Sequence, residues 1–200
     1  YTLSYSNNVN VGTATVTATG KGNYQGTVSQ TFEIRNATMT GVTAEGYTGV
    51  YDGEYHGITV SLNGTSEGAT IKYGTTDGVY NLTTNPTYKD VNTYTVYYEV
   101  TKANYDTVTG SAVVRITAKS VSGLTITLNP TSYEFDGNTK TPTLTVKDGN
   151  TDLVKGTDYT VSGVESATYA GTYTITITGT MNYAGTVNKS WEIAQAENTL

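Results

Sequence analysis

The sequence predicts an all-β protein built from small tandem β-sandwiches, and three observations carry that expectation. The first is composition: 43 Thr, 18 Tyr and 22 Gly stand among 200 residues. Branched and aromatic side chains suit a pleated, half-buried surface, and glycine supplies turns. The second is period-two alternation of wet and apolar positions, which marks strands with one buried face. The third is a phrase written three times at a period near 80 residues, too long for a solenoid repeat and right for tandem domains. Only 36% of the chain is apolar, but a disordered chain would be poor in aromatic and branched residues, and this one is rich in both.

The alternation is clearest in two combs. In "TYTITITG" Thr172, Thr174, Thr176 and Thr178 share one face, against Tyr173, Ile175 and Ile177 on the other. In "TATVTATG" Thr13, Thr15, Thr17 and Thr19 stand against Ala14, Val16 and Ala18. Tyr94, Val96, Tyr98 and Val100 take the inner positions of the middle copy. In the last copy, strands are expected near 123–128, 132–135, 142–147, 152–154, 159–163, 171–179 and 186–193, with "DGN" and "KGTD" as turns. Six or seven short strands in about 75 residues fit a small Ig-like β-sandwich, and no segment has helical periodicity of useful length.

The repeated phrase fixes the domain expectation. From Gly12/Gly171 to Ile34/Ile193, 13 of 23 positions are identical, and "NTYTVYYEVTKANYDTVTGSAVVRI" (92–116) is a more divergent copy. The dipeptide Asn-Tyr recurs as Asn23-Tyr24, Asn104-Tyr105 and Asn182-Tyr183, spaced 81 and 78 residues apart. Residues 1–36 therefore read as the C-terminal half of a repeat, 39–117 and 120–194 as complete repeats, and 195–200 as a tail or linker. The joints "RNATMTG" and "TAKSVSG" are short, which suggests stiff coupling. Three strands with one apolar face expose that face unless a second chain or a neighbouring module covers it. Self-association through the incomplete first module is one expectation. Trp191, Phe32 and Val114 share one repeat position on the last strand, which makes Trp191 a core anchor of a cysteine-free domain near the lower size limit for a self-sufficient core.

The same numbers exclude several function classes. A net charge of −6 and a pI near 4.7 argue against nucleic acid and anionic membrane surfaces. No apolar run approaches the roughly 20 residues of a spanning helix, so no membrane insertion is expected. The chain starts inside a repeat, so the lack of a leader segment decides nothing. With no Cys and a single His, His56, thiolate or multi-histidine metal sites and His-based catalysis have little to draw on. No nucleophile elbow, phosphate loop or zinc motif is present, and paired-carboxylate chemistry would need a cleft. Neither an enzyme nor a cofactor is expected.

Against that frame, "YTLSYSNNVNVGTATVTATGKGNYQGTVSQTFEI" resembles repeats of large secreted or wall-bound proteins of Gram-positive bacteria. The middle copy, through "YDG", "NTYTVYY" and "NYDTVTGSA", is similar to MBG-type bacterial Ig-like repeats. The resemblance implies a surface or secreted location and a stalk or adhesin role, and it brings no catalytic residues. Where the pattern commonly has "AGTYTVYY", Asn92 replaces a glycine.

The candidate sites are few. Asn-Tyr could be a tyrosine platform for sugar rings, with Asn as polar partner. The structural alternative has Asn shaping a turn while Tyr packs over the sandwich end, its hydroxyl bonding backbone as in a tyrosine corner. Recurrence at one strand junction in every copy favours the structural alternative. Asp148, Asn150 and Asp152 alternate as in a calcium loop, but they straddle a hairpin and no Glu stands at the twelfth position. Asp52, Glu54 and His56 in "YDGEYHG" lie close together, whereas the counterpart "FDGNTKT" lacks Glu and His. Lys155 and Lys189 are available for a Lys–Asn isopeptide bond, without a matching motif. Four glycosylation-type triplets reflect an Asn- and Thr-rich composition. The expected role is a spacer that holds another domain away from the wall, with neighbouring modules as partners. The competing class is a module that binds host or cell-wall glycan or protein through Tyr47, Tyr55 and Tyr80.

Overall fold

The computed structural model describes residues 1–197, so the tail expected at 195–200 lies partly outside the described residues. The first copy contains β1 (Thr2–Ser6), β2 (Gly12–Thr19) and β3 (Thr27–Ile34). The middle copy contains β4 (Val42–Glu45), β5 (Tyr47–Val50), β6 (Thr59–Leu62), β7 (Thr70–Gly74), β8 (Asn92–Thr101) and β9 (Val108–Thr117). The last copy follows β10 (Lys119–Ser120) with β11 (Thr125–Asn129), β12 (Ser132–Glu134), β13 (Thr143–Asp148) and β14 (Thr151–Asp152). It then closes with β15 (Tyr159–Gly163), β16 (Gly171–Gly179), β17 (Tyr183–Ala184) and β18 (Thr186–Ala194). The only helical pieces among the described residues are two single 3₁₀ turns, at Gly64–Ser66 and Val121–Gly123. The protein is all-β with Ig-like sheets.

The chain forms two compact units. The first comprises Tyr1–Gly46, Gly57–Pro86 and Thr95–Val113; the second comprises Tyr47–His56, Thr87–Tyr94 and Val114–Leu200.

In the second unit, a three-stranded sheet in the order β11-β13-β14 faces a four-stranded sheet in the order β12-β18-β16-β15. The parallel pairing of β12 with β18, beside antiparallel β16 and β15, gives the mixed sheet its register. The inner positions of the combs close the core: Ile126, Leu128 and Val146 from one sheet meet Tyr159, Ile175, Ile177, Trp191 and Ile193 from the other. Trp191 is 1% exposed, and its indole N–H donates to the Val164 carbonyl at 3.0 Å, so burial leaves no orphan donor. On the wet face, Thr174 and Thr176 hydrogen-bond across the strands to Ser190 and Asn188, at 3.2 and 2.8 Å.

In the first unit, β1-β2-β3 is a three-stranded antiparallel sheet in strict register, with Ala14 opposite Phe32 and Tyr5 opposite Val16. Opposite residues share a face, so Leu3, Tyr5, Ala14, Val16, Ala18, Val28 and Phe32 form one apolar surface. Ala14 is buried, but Leu3, Tyr5, Val28 and Phe32 are exposed. The rest of this unit pairs β4 with β6 and β7 with β8, around buried Met39, Ile58, Val96, Tyr98 and Val100. Lys102 ties the Gly64–Ser66 turn to β8 by donating to the carbonyls of Thr65 and Glu67, both at 2.8 Å.

Candidate functional site

The three Asn-Tyr turns share one backbone device. The tyrosine N–H donates to the carbonyl three residues back: Tyr24 to Lys21 at 3.3 Å, Tyr105 to Lys102 at 3.2 Å and Tyr183 to Thr180 at 3.0 Å. One residue in each turn is left-handed, but a different one: Gly22 (φ 68°), Asn104 (φ 67°) and Met181 (φ 57°). The expectation that Asn shapes the turn therefore fits the middle copy alone, because the left-handed position moves with local spacing. Gly179 closes the last turn. A Cβ there would lie 2.7 Å from the Ala184 nitrogen and from a Val121 methyl.

What the asparagine side chains touch is the informative part. Asn104 Oδ1 accepts the Val11 N–H at 3.0 Å, and its Nδ2 donates to Asn10 Oδ1 at 3.1 Å, all within the first unit. Within the second unit, Asn182 Oδ1 accepts the Val91 N–H at 2.8 Å and its Nδ2 donates to Asp90 Oδ1 at 2.9 Å. Val11 and Val91 are the same repeat position, the residue before the central strand of the preceding copy. The Asn104 carbonyl also accepts the Ala37 N–H (2.9 Å), and the Asn182 carbonyl the Lys119 N–H (3.0 Å). Ala37 and Lys119 each stand three residues after the isoleucine that ends the repeat. Each asparagine thus clamps two points of the copy before it, the start of one strand and the exit of the last.

The tyrosines differ by copy. Tyr183 is buried, its ring edge-on to Tyr51 at 5.6 Å and its hydroxyl donating to Asp148 at 3.2 Å. Burial, then the Asp148 carboxylate, pushes its pKa well above the usual tyrosine range, which keeps the hydroxyl a donor. This corrects the tyrosine-corner expectation: the hydroxyl meets a carboxylate because Asp148 lies within reach at the end of β13. Backbone-directed hydroxyls occur elsewhere, Tyr94 to the Asp90 carbonyl (3.2 Å) and Tyr173 to the Tyr169 carbonyl (2.6 Å). Tyr105 is half-buried with Lys102 5.1 Å over its ring, whereas Tyr24 is 80% exposed.

The remaining candidates are taken up locally. Asp148 Oδ1 receives Lys119 Nζ at 2.6 Å while Oδ2 receives Tyr183, Asp152 pairs with Lys147 at 3.1 Å, and Asn150 is exposed in the hairpin turn. Among the described residues no group of three His, Cys, Asp or Glu gathers to hold a metal. His56 Nε2 contacts Asp52 at 3.0 Å, and the Glu54 N–H, followed by the His56 contact, lowers the Asp52 pKa. In the last copy, Lys140 takes the position of His56 and Asp136 that of Asp52; Lys140 and the Asn138 N–H hold Asp136 at about 2. A recurring ion pair across a turn accounts for both clusters. Tyr47 is half-buried and stacks on His56 at 3.7 Å; Tyr80 is half-buried; Tyr55 is exposed beneath Lys89 at 5.5 Å. Lys155 pairs with Glu165.

Sequence reasoning missed the receiving residues: Asn10-Val11, Asp90-Val91, Ala37 and Lys119. Their signal is the alignment of "NVGT" with "DVNT" ahead of the Thr comb.

No family model and no curated protein matches this chain. Among solved structures, a chain from the crystal structure of Dpr2 Ig1-Ig2 in complex with DIP-Theta Ig1-Ig3 is similar at 11% identity. The match covers 93% of this chain and 73% of that one, with a TM-score of 0.27.

Proposed function

We propose that this chain is a run of non-catalytic structural spacer modules, of the MBG-type bacterial Ig-like kind, from an extracellular surface or secreted protein. One observation supports this reading above the others. In the most repeated phrase of the sequence, the Asn104 and Asn182 side chains are taken up by the preceding copy, each through the same pair of contacts. A ligand site would leave those polar groups turned toward a ligand; a device that fixes copy to copy does not. Most tyrosines point the same way, with only Tyr1, Tyr5, Tyr24, Tyr55 and Tyr169 exposed. An array of host and cell-wall glycans probed with the full chain tests the proposal. The spacer reading expects no signal above background. A saturable signal, competed by the free glycan and lost in Tyr55→Ala, would replace it with a binding module.

A further inference from the structure

Three receiving positions and three Asn-Tyr turns exist in this chain, and two of each are paired. Asn104 is seated on Val11 and Ala37, and Asn182 on Val91 and Lys119. The third receiver is Ala170 and Ala196, which stand where Val91 and Lys119 stand in the preceding copy. The third turn is Asn23-Tyr24, exposed and without a side-chain hydrogen bond among the described residues.

The third receiver is already shaped. In the paired case within the second unit, the Tyr51 N–H bonds the Thr117 carbonyl at 2.8 Å, and the Tyr94 hydroxyl bonds the Asp90 carbonyl. In the last copy, the Phe135 N–H bonds the Ala194 carbonyl at 3.0 Å, and the Tyr173 hydroxyl bonds the Tyr169 carbonyl. The same two bonds therefore hold the same two walls. Phe135, Tyr169, Ala170, Gln195, Ala196 and Glu197 line the resulting groove, with Tyr169 76% and Phe135 37% exposed. Phe135 occupies the position of Tyr51, the ring on which Tyr183 rests. One difference is chemical: Tyr169 replaces Asn10 and Asp90, so the asparagine amide has no carboxyl or amide oxygen to reach there.

We propose that this groove binds the Asn23-Tyr24 turn of a second copy of the chain. The Asn23 side-chain oxygen would take the Ala170 N–H, the Asn23 carbonyl the Ala196 N–H, and the Tyr24 ring would lie against Phe135. The contact is heterologous, head to tail, so it propagates rather than closing as a symmetric dimer. It rests on the joint geometry and does not depend on the spacer reading.

Sedimentation velocity tests it. A contact this small should give reversible association across roughly 0.05–2 mM, at the weak end of specific interfaces. Asn23→Ala/Tyr24→Ala, both at exposed positions, should weaken it at least tenfold, and so should Ala170→Pro, which removes the receiving N–H. Phe135→Ala replaces the latter if Trp191 fluorescence shows a disturbed fold. Each variant keeps one intact half, so mixing a turn variant with a receiver variant should restore a one-to-one dimer and nothing larger. A wild type that stays monomeric across that range, or variants that associate like the wild type, or a mixture that forms no dimer, overturns the proposal.

Discussion

The sheet β1-β2-β3 and the sheet β15-β16-β18 are written in nearly the same words, yet one is naked and the other is a core. Trp191 is 1% exposed; Phe32, at the same repeat position, is 41% exposed. Ile175 and Ile177 are buried under Ile126, Leu128 and Val146, whereas Leu3, Tyr5 and Val28 face outward. Burial is thus not a property of the repeated phrase. It belongs to the strands that face it, which residues 120–148 supply in the last copy. What the phrase itself determines is the ladder, whose register is continuous in both sheets. Ladder and cross-strand pairs such as Thr17–Ser29 hold a sheet together at about 0.2–1 kcal/mol per pair, far below the yield of a closed core.

The sharpest way to break this comparison is to truncate the shared aromatic position in both sheets. Trp191→Ala should cost about 3–5 kcal/mol in urea unfolding, as for a large buried aromatic. Phe32→Ala should stay within about 1 kcal/mol, as for an exposed site. Equal losses would mean that the first sheet carries a closed core after all. Next come the turn tyrosines. Tyr183→Ala should cost roughly 3 kcal/mol or more, since it removes a buried ring against Tyr51 and leaves Asp148 short of a donor. Tyr24→Ala should leave the melting temperature unchanged at concentrations where the chain is monomeric.

A smaller effect separates the two turn ion pairs by pH. The Asp136 carboxyl lies below its ordinary 3.8, at about 2. Its contribution is therefore present above about pH 4 and is lost as pH falls toward 2. Asp136→Asn should flatten that acid limb of the stability profile measured by thermal melts; an unchanged limb would remove the pair from the account. The smallest effect is Met181→Gly. It relieves a left-handed non-glycine residue, worth about 1–2 kcal/mol, and adds unfolded-chain entropy of opposite sign, so the net change should be within about 1 kcal/mol.

Period-two alternation placed most strands of the last copy within two residues: 159–163 and 171–179 coincide with β15 and β16, and 142–147 lies one residue from β13. It misplaced the strand expected at 152–154, because β14 is Thr151–Asp152 and Leu153 bonds back to the Val146 carbonyl. It could not show β17, two residues whose parallel partner, Lys119–Ser120, lies more than sixty positions upstream. The clamp was illegible for the same reason. Asn104 reaches residues 93 and 94 positions away and Asn182 residues 91 and 92 away, and no local pattern encodes such a partner. Recurrence showed that the Asn-Tyr turns matter, and only the fold showed what they hold.

The central claim is that the repeated asparagine fastens each copy to the one before it. Hydrogen exchange of the Val11 and Val91 amides, followed by NMR in the wild type, Asn104→Ala and Asn182→Ala, tests it most directly. Both amides should be protected in the wild type. Asn104→Ala should release Val11 alone, and Asn182→Ala should release Val91 alone. Fast exchange of both amides in the wild type, or protection unchanged by either substitution, would contradict it.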